Sequence, residues 1–139
     1  MHVQRRRITR TMLPLGAVLL GLTACGGPGE READASAAAT AFERDLDGGD
    51  RTAMCAALAP KTRSEIEDAE KKACADAIGA QDLPAGGAVR GVDVYGRQAR
   101  ATLASDTLFL SQFSDGWKIV AAGCRPRPGR PYHCSVKGG

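Results

Sequence analysis

The chain has 139 residues, with 19 lysines and arginines against 16 aspartates and glutamates, and its formal net charge is +3. Four of the arginines lie among the first ten residues, ahead of an apolar run typical of an export signal, which takes no part in the fold. Without residues 1–24, 15 basic and 16 acidic side chains remain in 115 residues, a net charge of −1 and enough chain for one domain. A generic nucleic-acid binder needs a basic excess, so the composition argues against that class. The charge is uneven, with −6 over residues 25–82 and +5 over residues 83–139, which predicts an acidic face and a basic face.

The export segment consists of a basic leader over residues 1–10 and an apolar run over residues 12–22. The run is about half the ~20 residues that a membrane-spanning helix needs, so residues 1–24 are predicted to be a signal peptide. The adjacent arginines Arg5 and Arg6 match the twin-arginine export pattern only loosely. Export by the general secretory route and by the twin-arginine route therefore both stay open.

The apolar run ends in Leu22-Thr23-Ala24-Cys25, which resembles the lipobox of bacterial lipoproteins in all four positions. The resemblance implies cleavage before Cys25 and a thioether-linked diacylglycerol on its sulfur, and no other cofactor is expected. The alternative is an ordinary signal peptide followed by a chance cysteine. Residues 25–30 are rich in glycine and are predicted to be a short flexible tether. The domain is therefore expected at the outer face of the cell membrane, held there by the lipid.

Helices are predicted in the first half of the folded part. Residues 31–46 carry a stripe of mainly small apolar side chains at helical spacing, and residues 51–58 form a short second helix. A third helical segment begins at a capping box formed by Thr62 and Glu65 and continues to residue 79. Whether this segment is one helix or two stays open, because its middle is rich in charged residues.

Strands are predicted in the second half, where the apolar spacing changes to alternation. They cover residues 88–95, 98–104, 107–113 and 117–123. Asp115-Gly116, between the last two, is a strong hairpin signal. Helices followed by a meander of antiparallel strands predict an α+β fold, with N-terminal helices packed on a curved antiparallel sheet of about four strands. Residues 31–139 are predicted to form this single domain.

Four cysteines remain once Cys25 is assigned to the lipid: Cys55, Cys74, Cys124 and Cys134. In an oxidising compartment an even set of four is typical of two disulfides, for which three pairings exist. Cys55 is favoured to pair with Cys74, which would join consecutive helical segments. Cys124 is favoured to pair with Cys134, which would close the loop after the last strand. Zinc is the competing use, but the cysteines lack the close spacing of a zinc site and the folded part has a single histidine, so no metal is expected.

Several motifs of the folded part carry a wider resemblance. They are Cys25, Asp50, Cys55, Leu58-Ala59-Pro60, Cys74, Gly116-Trp117-Lys118, Ala122-Gly123-Cys124 and residues 91–96, 106–110, 130–134 and 137–139. Together they resemble a group of small actinobacterial lipoproteins without assigned function, over essentially the whole mature chain. The order of helices and strands is also similar to that of the nuclear-transport-factor-like or cystatin-like superfamily. That resemblance implies a cone of helices on a curved sheet, with a pocket in which some members hold catalytic acidic, tyrosine or histidine side chains.

Two residues, Asp93 and His133, are candidates for a catalytic base. Asp93 and Tyr95 lie two positions apart on one predicted strand and so face the same side of it. Because Val92 and Val94 are expected to claim the core, Asp93 is expected to point outward. His133 lies on a proline-rich loop with no titratable partner close in sequence, and no nucleophile motif or phosphate loop is recognisable. We therefore predict no catalytic residue; the alternative is a cone-fold isomerase or hydrolase with an acidic or histidine base in its pocket.

The segment between Cys124 and Cys134 is basic, is stiffened by prolines and contains Arg125, Arg127 and Arg130. Preorganised arginines suit an anionic partner, such as a phosphate-bearing wall polymer, a lipid headgroup or an acidic surface of an envelope protein. The alternative is a solvated loop whose arginines serve solubility. The function expected from the sequence is a non-catalytic binding or accessory domain, anchored by lipid to the cell membrane, with no nucleic-acid partner.

Overall fold

The computed structural model of the protein describes residues 27–138. Four helices come first: α1 Pro28–Asp47, α2 Arg51–Ala57, α3 Pro60–Glu70 and α4 Cys74–Gly79. Six strands follow: β1 Val89–Tyr95, β2 Gln98–Leu103, β3 Thr107–Phe113, β4 Gly116–Arg127, β5 Arg130–His133 and β6 Val136–Lys137. The predicted α+β class and the order of helices before strands are confirmed. The predicted signal peptide and the lipidation site Cys25 lie outside the described residues.

The first helix begins at Pro28, three residues earlier than expected. Proline is favourable at a first helical position, because its fixed φ suits the helix and its missing N–H would have no intrahelical acceptor there. The backbone N–H of Gly27 donates to Oε2 of Glu30 at 2.8 Å and fixes this first turn. Residues 28–30, which were expected in the tether, are therefore helical.

The third helical segment differs from its prediction in two ways. Helix α3 begins at Pro60, and Thr62 does not cap it, because its hydroxyl donates to the carbonyl oxygen of Val120 at 3.1 Å. Thr62 is 1% exposed, so the expected capping box is wrong and the threonine instead ties α3 to the sheet. The segment is two helices, since α3 ends at Glu70 and Lys71 adopts a left-handed conformation with φ of 53°.

The strands form an antiparallel sheet in the order β1-β2-β3-β4-β5, and the short β6 also pairs with β4. The sheet has more strands than the four expected, because the segment predicted as a proline-rich loop extends β4 and forms β5. Proline is tolerated here because β5 lies at the sheet edge, where the outward side of a strand needs no ladder hydrogen bond. Register shifts between Thr107 and Leu110 mark irregularities that bend the pairing of β3 with β4.

The helices cover one face of the sheet, and apolar side chains fill the space between the two layers. Phe42 of α1 and Leu108, Leu110 and Ile119 of the sheet are each at most 1% exposed. Burial of each such side chain contributes roughly 1.5–3 kcal/mol. Alternate residues such as Phe109 face away from the helices and are half-buried. The acidic and basic halves of the sequence are thus the helical layer and the sheet layer.

Two disulfides of the favoured pairing are present. Cys55–Cys74 joins α2 to α4 within the core, and Cys124–Cys134 joins β4 to the residue that follows β5. Each bond contributes about 2–4 kcal/mol to stability. Disulfides persist in oxidising compartments, so the pair indicates an extracytoplasmic environment. Among residues 27–138, no helix has the length and apolar character that crossing a membrane requires.

The domain has two ends, which we call the proximal and distal poles. The proximal pole consists of the start of α1 and the turns at residues 96–97 and 114–115, since Arg31 donates to the carbonyl of Gly96 and to Gln112 Oε1. The distal pole consists of residues 82–88, the turn at residues 104–106 and the β4–β5 hairpin. The end of α1 reaches the distal pole, because Glu43 accepts a hydrogen bond from Gly86. From Pro28 to Glu43 the helix rises about 20 Å, which is roughly the distance between the two poles.

Candidate functional site

The end of β4 and the whole of β5 form a hairpin at the distal pole, residues 125–133, which we call the arginine hairpin. Its two-residue turn is Pro128-Gly129, and Gly129 has a φ of +64°, which glycine adopts without the steric cost that other residues incur. The Cys124–Cys134 disulfide closes the base of the hairpin. The sequence therefore builds a stiff, short ribbon where a loop was expected.

The three predicted arginines all lie on this hairpin and are exposed. Arg127 stands directly opposite Arg130 in the strand register, so the two side chains share one face. Like charges in that arrangement are destabilising unless an anion compensates them. Among residues 27–138 no salt bridge includes Arg125, Arg127 or Arg130, and Arg127 Nε donates instead to the carbonyl of Pro131 at 3.1 Å. The guanidinium groups are thus available to an external anion.

A cavity of about 360 Å³, which we call the basal pocket, opens at the foot of the hairpin. It is lined by Asp82, Pro84, Asp106, Gly123, Arg125, His133 and Ser135. His133 has no titratable partner near it in sequence, but the fold brings it to the same pocket as Asp82, Asp106 and Arg125. The pocket therefore combines carboxyl, guanidinium and imidazole groups drawn from four different segments of the chain.

Asp106 is the buried polar group of this pocket, since it is only 8% exposed. Its Oδ1 lies against Gly86, where any side chain would collide with it, and has no hydrogen-bond partner among the described residues. Burial raises the pKa of the Asp106 carboxyl, and the nearby charge of Arg125 partly opposes that rise. The sequence predicted Asp106 only as a turn residue, and nothing in the local pattern indicates that it is buried.

A second buried carboxyl, Glu43 of α1, lies on the other side of Gly86. Its Oε2 accepts a hydrogen bond from the Gly86 N–H at 2.7 Å, while its Oε1 has no partner among residues 27–138. Burial raises the pKa of Glu43; the Gly86 N–H lowers it and the charge of Asp106 raises it further. Beside Glu43 lies a cavity of about 400 Å³ between α1 and the segment at residues 85–89. Sequence analysis missed Glu43, because it lies next to the apolar stripe of α1 and resembles a solvated helix residue.

The predicted outward orientation of Asp93 is confirmed. Asp93 is exposed and its Oδ2 accepts from the Arg100 guanidinium at 2.7 Å across β1 and β2. Tyr95, on the same side of β1, is 62% exposed, whereas Val92 and Val94 pack against the core. The candidate base Asp93 therefore lies on the sheet face opposite the helices, outside the interior of the domain.

Two further results concern metal binding and similarity to known proteins. No group of three or more histidine, cysteine, aspartate or glutamate side chains within residues 27–138 could hold a metal ion. Comparison with protein-family models, with curated proteins and with solved structures finds no match to this chain. The family resemblances that the sequence motifs indicate therefore stay predictions. The proposed function is drawn from the residues of the distal pole.

Proposed function

We propose that the protein is a lipid-anchored, non-catalytic binding domain of the cell envelope, and that its arginine hairpin binds an anionic polymer of the cell wall. The observation that carries this proposal is the hairpin itself: three exposed arginines on a disulfide-closed ribbon, none of them in a salt bridge within residues 27–138. A guanidinium group binds a phosphate or carboxylate through two parallel hydrogen bonds. A preorganised ribbon loses little conformational entropy when it does so.

The position of the hairpin favours a partner outside the membrane. If Cys25 carries the lipid, only residues 26 and 27 separate it from α1, and this stretch spans about 10 Å at most. The proximal pole then lies next to the membrane, and with α1 upright the distal pole is about 20 Å away from it. In that orientation the hairpin faces a wall polymer outside the membrane and not the lipid headgroups.

The enzymatic alternative is not supported at the position that the sequence offers for its base. Asp93 lies on the outer sheet face in an ion pair with Arg100, and apolar side chains fill the space between α1 and the sheet. His133 is exposed at the basal pocket, where it can donate to or accept from a ligand. Binding of an anion requires only the exposed arginines and His133 and no catalytic step, so it is the simpler function for the distal pole.

The proposal is tested by replacing Arg125, Arg127 and Arg130 with glutamine and measuring retention on purified phosphate-bearing wall polymer at two salt concentrations. We expect retention to fall at least tenfold, because the counter-charges for the polymer are removed, and the salt dependence to weaken. The matched control replaces three exposed basic residues on other elements, Lys72, Arg90 and Lys137, with glutamine.

The control variant should change retention less than twofold. It loses the same number of positive charges as the arginine variant, but its hairpin is intact. Equal losses in both triple variants would show attraction by net charge alone and would overturn a specific hairpin site. Anionic vesicles serve as a second matrix: capture of the unanchored chain by vesicles but not by wall polymer would identify a lipid surface as the partner instead.

A further inference from the structure

The basal pocket adds a second recognition element beside the arginines. We infer that the protein binds a polyol phosphate, in which a phosphate contacts the arginine hairpin and a neighbouring hydroxyl donates a hydrogen bond to Asp106 in the basal pocket. This inference rests on the proposed function and names the chemical class of its polymer. It distinguishes a chain of phosphates linked by hydroxyl-bearing carbon units from a chain of phosphates alone.

The first step of the argument is the hydrogen-bonding state of Asp106. Asp106 is 8% exposed, and its Oδ1 is enclosed against Gly86, where a ligand in the pocket does not reach it. Its Oδ2 is the oxygen that is not fully buried, and within residues 27–138 it accepts no hydrogen bond, so a donor that enters the pocket can bond to it. Asp106 lines a cavity of about 360 Å³, which has the size of a small-ligand pocket.

The second step is the sign of the charges around the pocket. Asp106 and Asp82 line it together, so a bare phosphate inside it would meet two carboxyl groups. A phosphate is therefore expected at the arginines, and the group that enters the pocket is a hydrogen-bond donor. In a polyol phosphate that donor is a hydroxyl, which two carbon atoms separate from the phosphate oxygen.

The third step is continuity with the hairpin. Arg125 belongs to the arginine hairpin and also lines the basal pocket, so a single repeat of the polymer can contact both. His133, opposite Arg125 in the strand register, and Ser135 add exposed polar groups on the same side of the pocket. These groups can bond a second hydroxyl of the same unit. The pocket thus recognises the carbon unit, while the arginines recognise its charge.

The test compares two soluble probes with equal numbers of charges, an oligomer of glycerol phosphate and a linear polyphosphate, titrated into the full chain purified in neutral detergent. We expect the wild type to bind the glycerol phosphate oligomer about tenfold more tightly than polyphosphate. Asp106→Ala removes both carboxyl oxygens and should reduce that preference to within about twofold while polyphosphate binding persists, which also reports that the hairpin is folded. The control Asp93→Ala removes the same group from the exposed outer face and should keep the full preference.

A second variant guards against misfolding caused by the buried substitution. His133→Ala changes an exposed residue of the pocket and should lower affinity for the glycerol phosphate oligomer about threefold without affecting polyphosphate. If wild type binds both probes equally, or if both pocket variants keep the full preference, the hydroxyl site is overturned and the anion-binding function stands. If wild type binds neither probe, the proposed function and the inference fall together.

Discussion

The two poles of the domain use the same residue type in opposite ways. At the proximal pole Arg31 donates to the carbonyl of Gly96 and to Gln112, and its guanidinium lies 5.8 Å from the Trp117 ring. Arg97 donates to the Gln112 carbonyl at 2.7 Å. These arginines are occupied by the fold, since they tie the start of α1 and the two turns of the sheet together.

At the distal pole the polar groups are left incomplete. Among residues 27–138 the arginines of the hairpin form no salt bridge, and the buried carboxyls of Glu43 and Asp106 each have one oxygen without a donor. An occupied polar group stabilises the fold, whereas an unoccupied one costs free energy unless something binds it. The proximal pole has one such group too, the indole Nε1 of Trp117, so the contrast lies in the charged side chains. It indicates a structural role for the proximal arginines and supports the proposed binding role of the distal ones.

The orientation of the two poles relative to a membrane gives the largest expected effect. Trp117 at the proximal pole is the single tryptophan of the chain. In lipidated protein on vesicles, energy transfer from Trp117 to an acceptor on the headgroups should be several-fold more efficient than from a tryptophan placed on the hairpin. The second donor is made by combining Trp117→Phe with Tyr132→Trp. The phenylalanine is tolerated because the indole Nε1 is buried without a partner among the described residues.

Equal transfer from both donors would contradict the orientation, because the hairpin would then be as close to the membrane as the start of α1. A variant with Cys25→Ala provides the baseline, since it removes the proposed site of lipid attachment. Transfer from the variant should fall to the level of protein free in solution.

The two disulfides should separate stability from recognition. Removing Cys124–Cys134 by alanine substitution should lower the free energy of unfolding by about 2–4 kcal/mol and also weaken polymer retention, because the hairpin loses its closed base. Removing Cys55–Cys74 should lower stability by a similar amount and leave retention unchanged. Denaturant unfolding and retention at a temperature where both variants are folded measure the two effects. Equal losses of retention would place the Cys55–Cys74 region in the binding site as well.

Arg31→Ala should show the structural role of the proximal pole. The substitution removes two hydrogen bonds and the contact with Trp117, so the free energy of unfolding should fall by about 1–2 kcal/mol. Polymer retention should not change. The matched control is Arg44→Ala on the same helix, whose ion pair with Asp45 is exposed and should contribute little. A loss of retention in Arg31→Ala would show that the proximal pole also takes part in binding.

The sequence predicted the elements that depend on local chemistry. The strand over residues 107–113 was predicted with its observed bounds, and the favoured pairing of cysteines is the one that the structure contains. The arginine hairpin was predicted by position but not by conformation, because its prolines indicate a loop unless the neighbouring strand is known. Edge pairing against β4 supplies that missing information.

The buried carboxyls could not be predicted, because their environment comes from distant parts of the chain. Glu43 bonds to Gly86, 43 residues away, and Asp106 lies against the same glycine. Thr62 was assigned to a capping box because the local pattern was complete, but its hydroxyl bonds to Val120 across the layers. Local patterns describe what a residue can do, and the contacts between layers decide which of these interactions it makes.

The pH dependence of stability is the smallest effect and follows from the Glu43 carboxyl. Burial is the main cause that raises its folded-state pKa above the usual 4.5, so the folded protein binds this proton more tightly than the unfolded chain does. The stabilisation is therefore complete below about pH 4.5 and is lost as the pH rises through the folded-state pKa. Burial raises the pKa of Asp106 as well, so it acts in the same direction.

Glu43→Gln isolates this contribution, because glutamine keeps an oxygen for the Gly86 N–H and does not ionise. Its unfolding free energy should match that of the wild type at pH 4 and exceed it at pH 7, and the difference is measured by denaturant unfolding at a series of pH values. If the gap between Glu43→Gln and wild type stayed constant from pH 4 to 7, burial would not raise the pKa of Glu43 in the folded protein. The contrast between the two ends would then depend on the arginines and on Asp106.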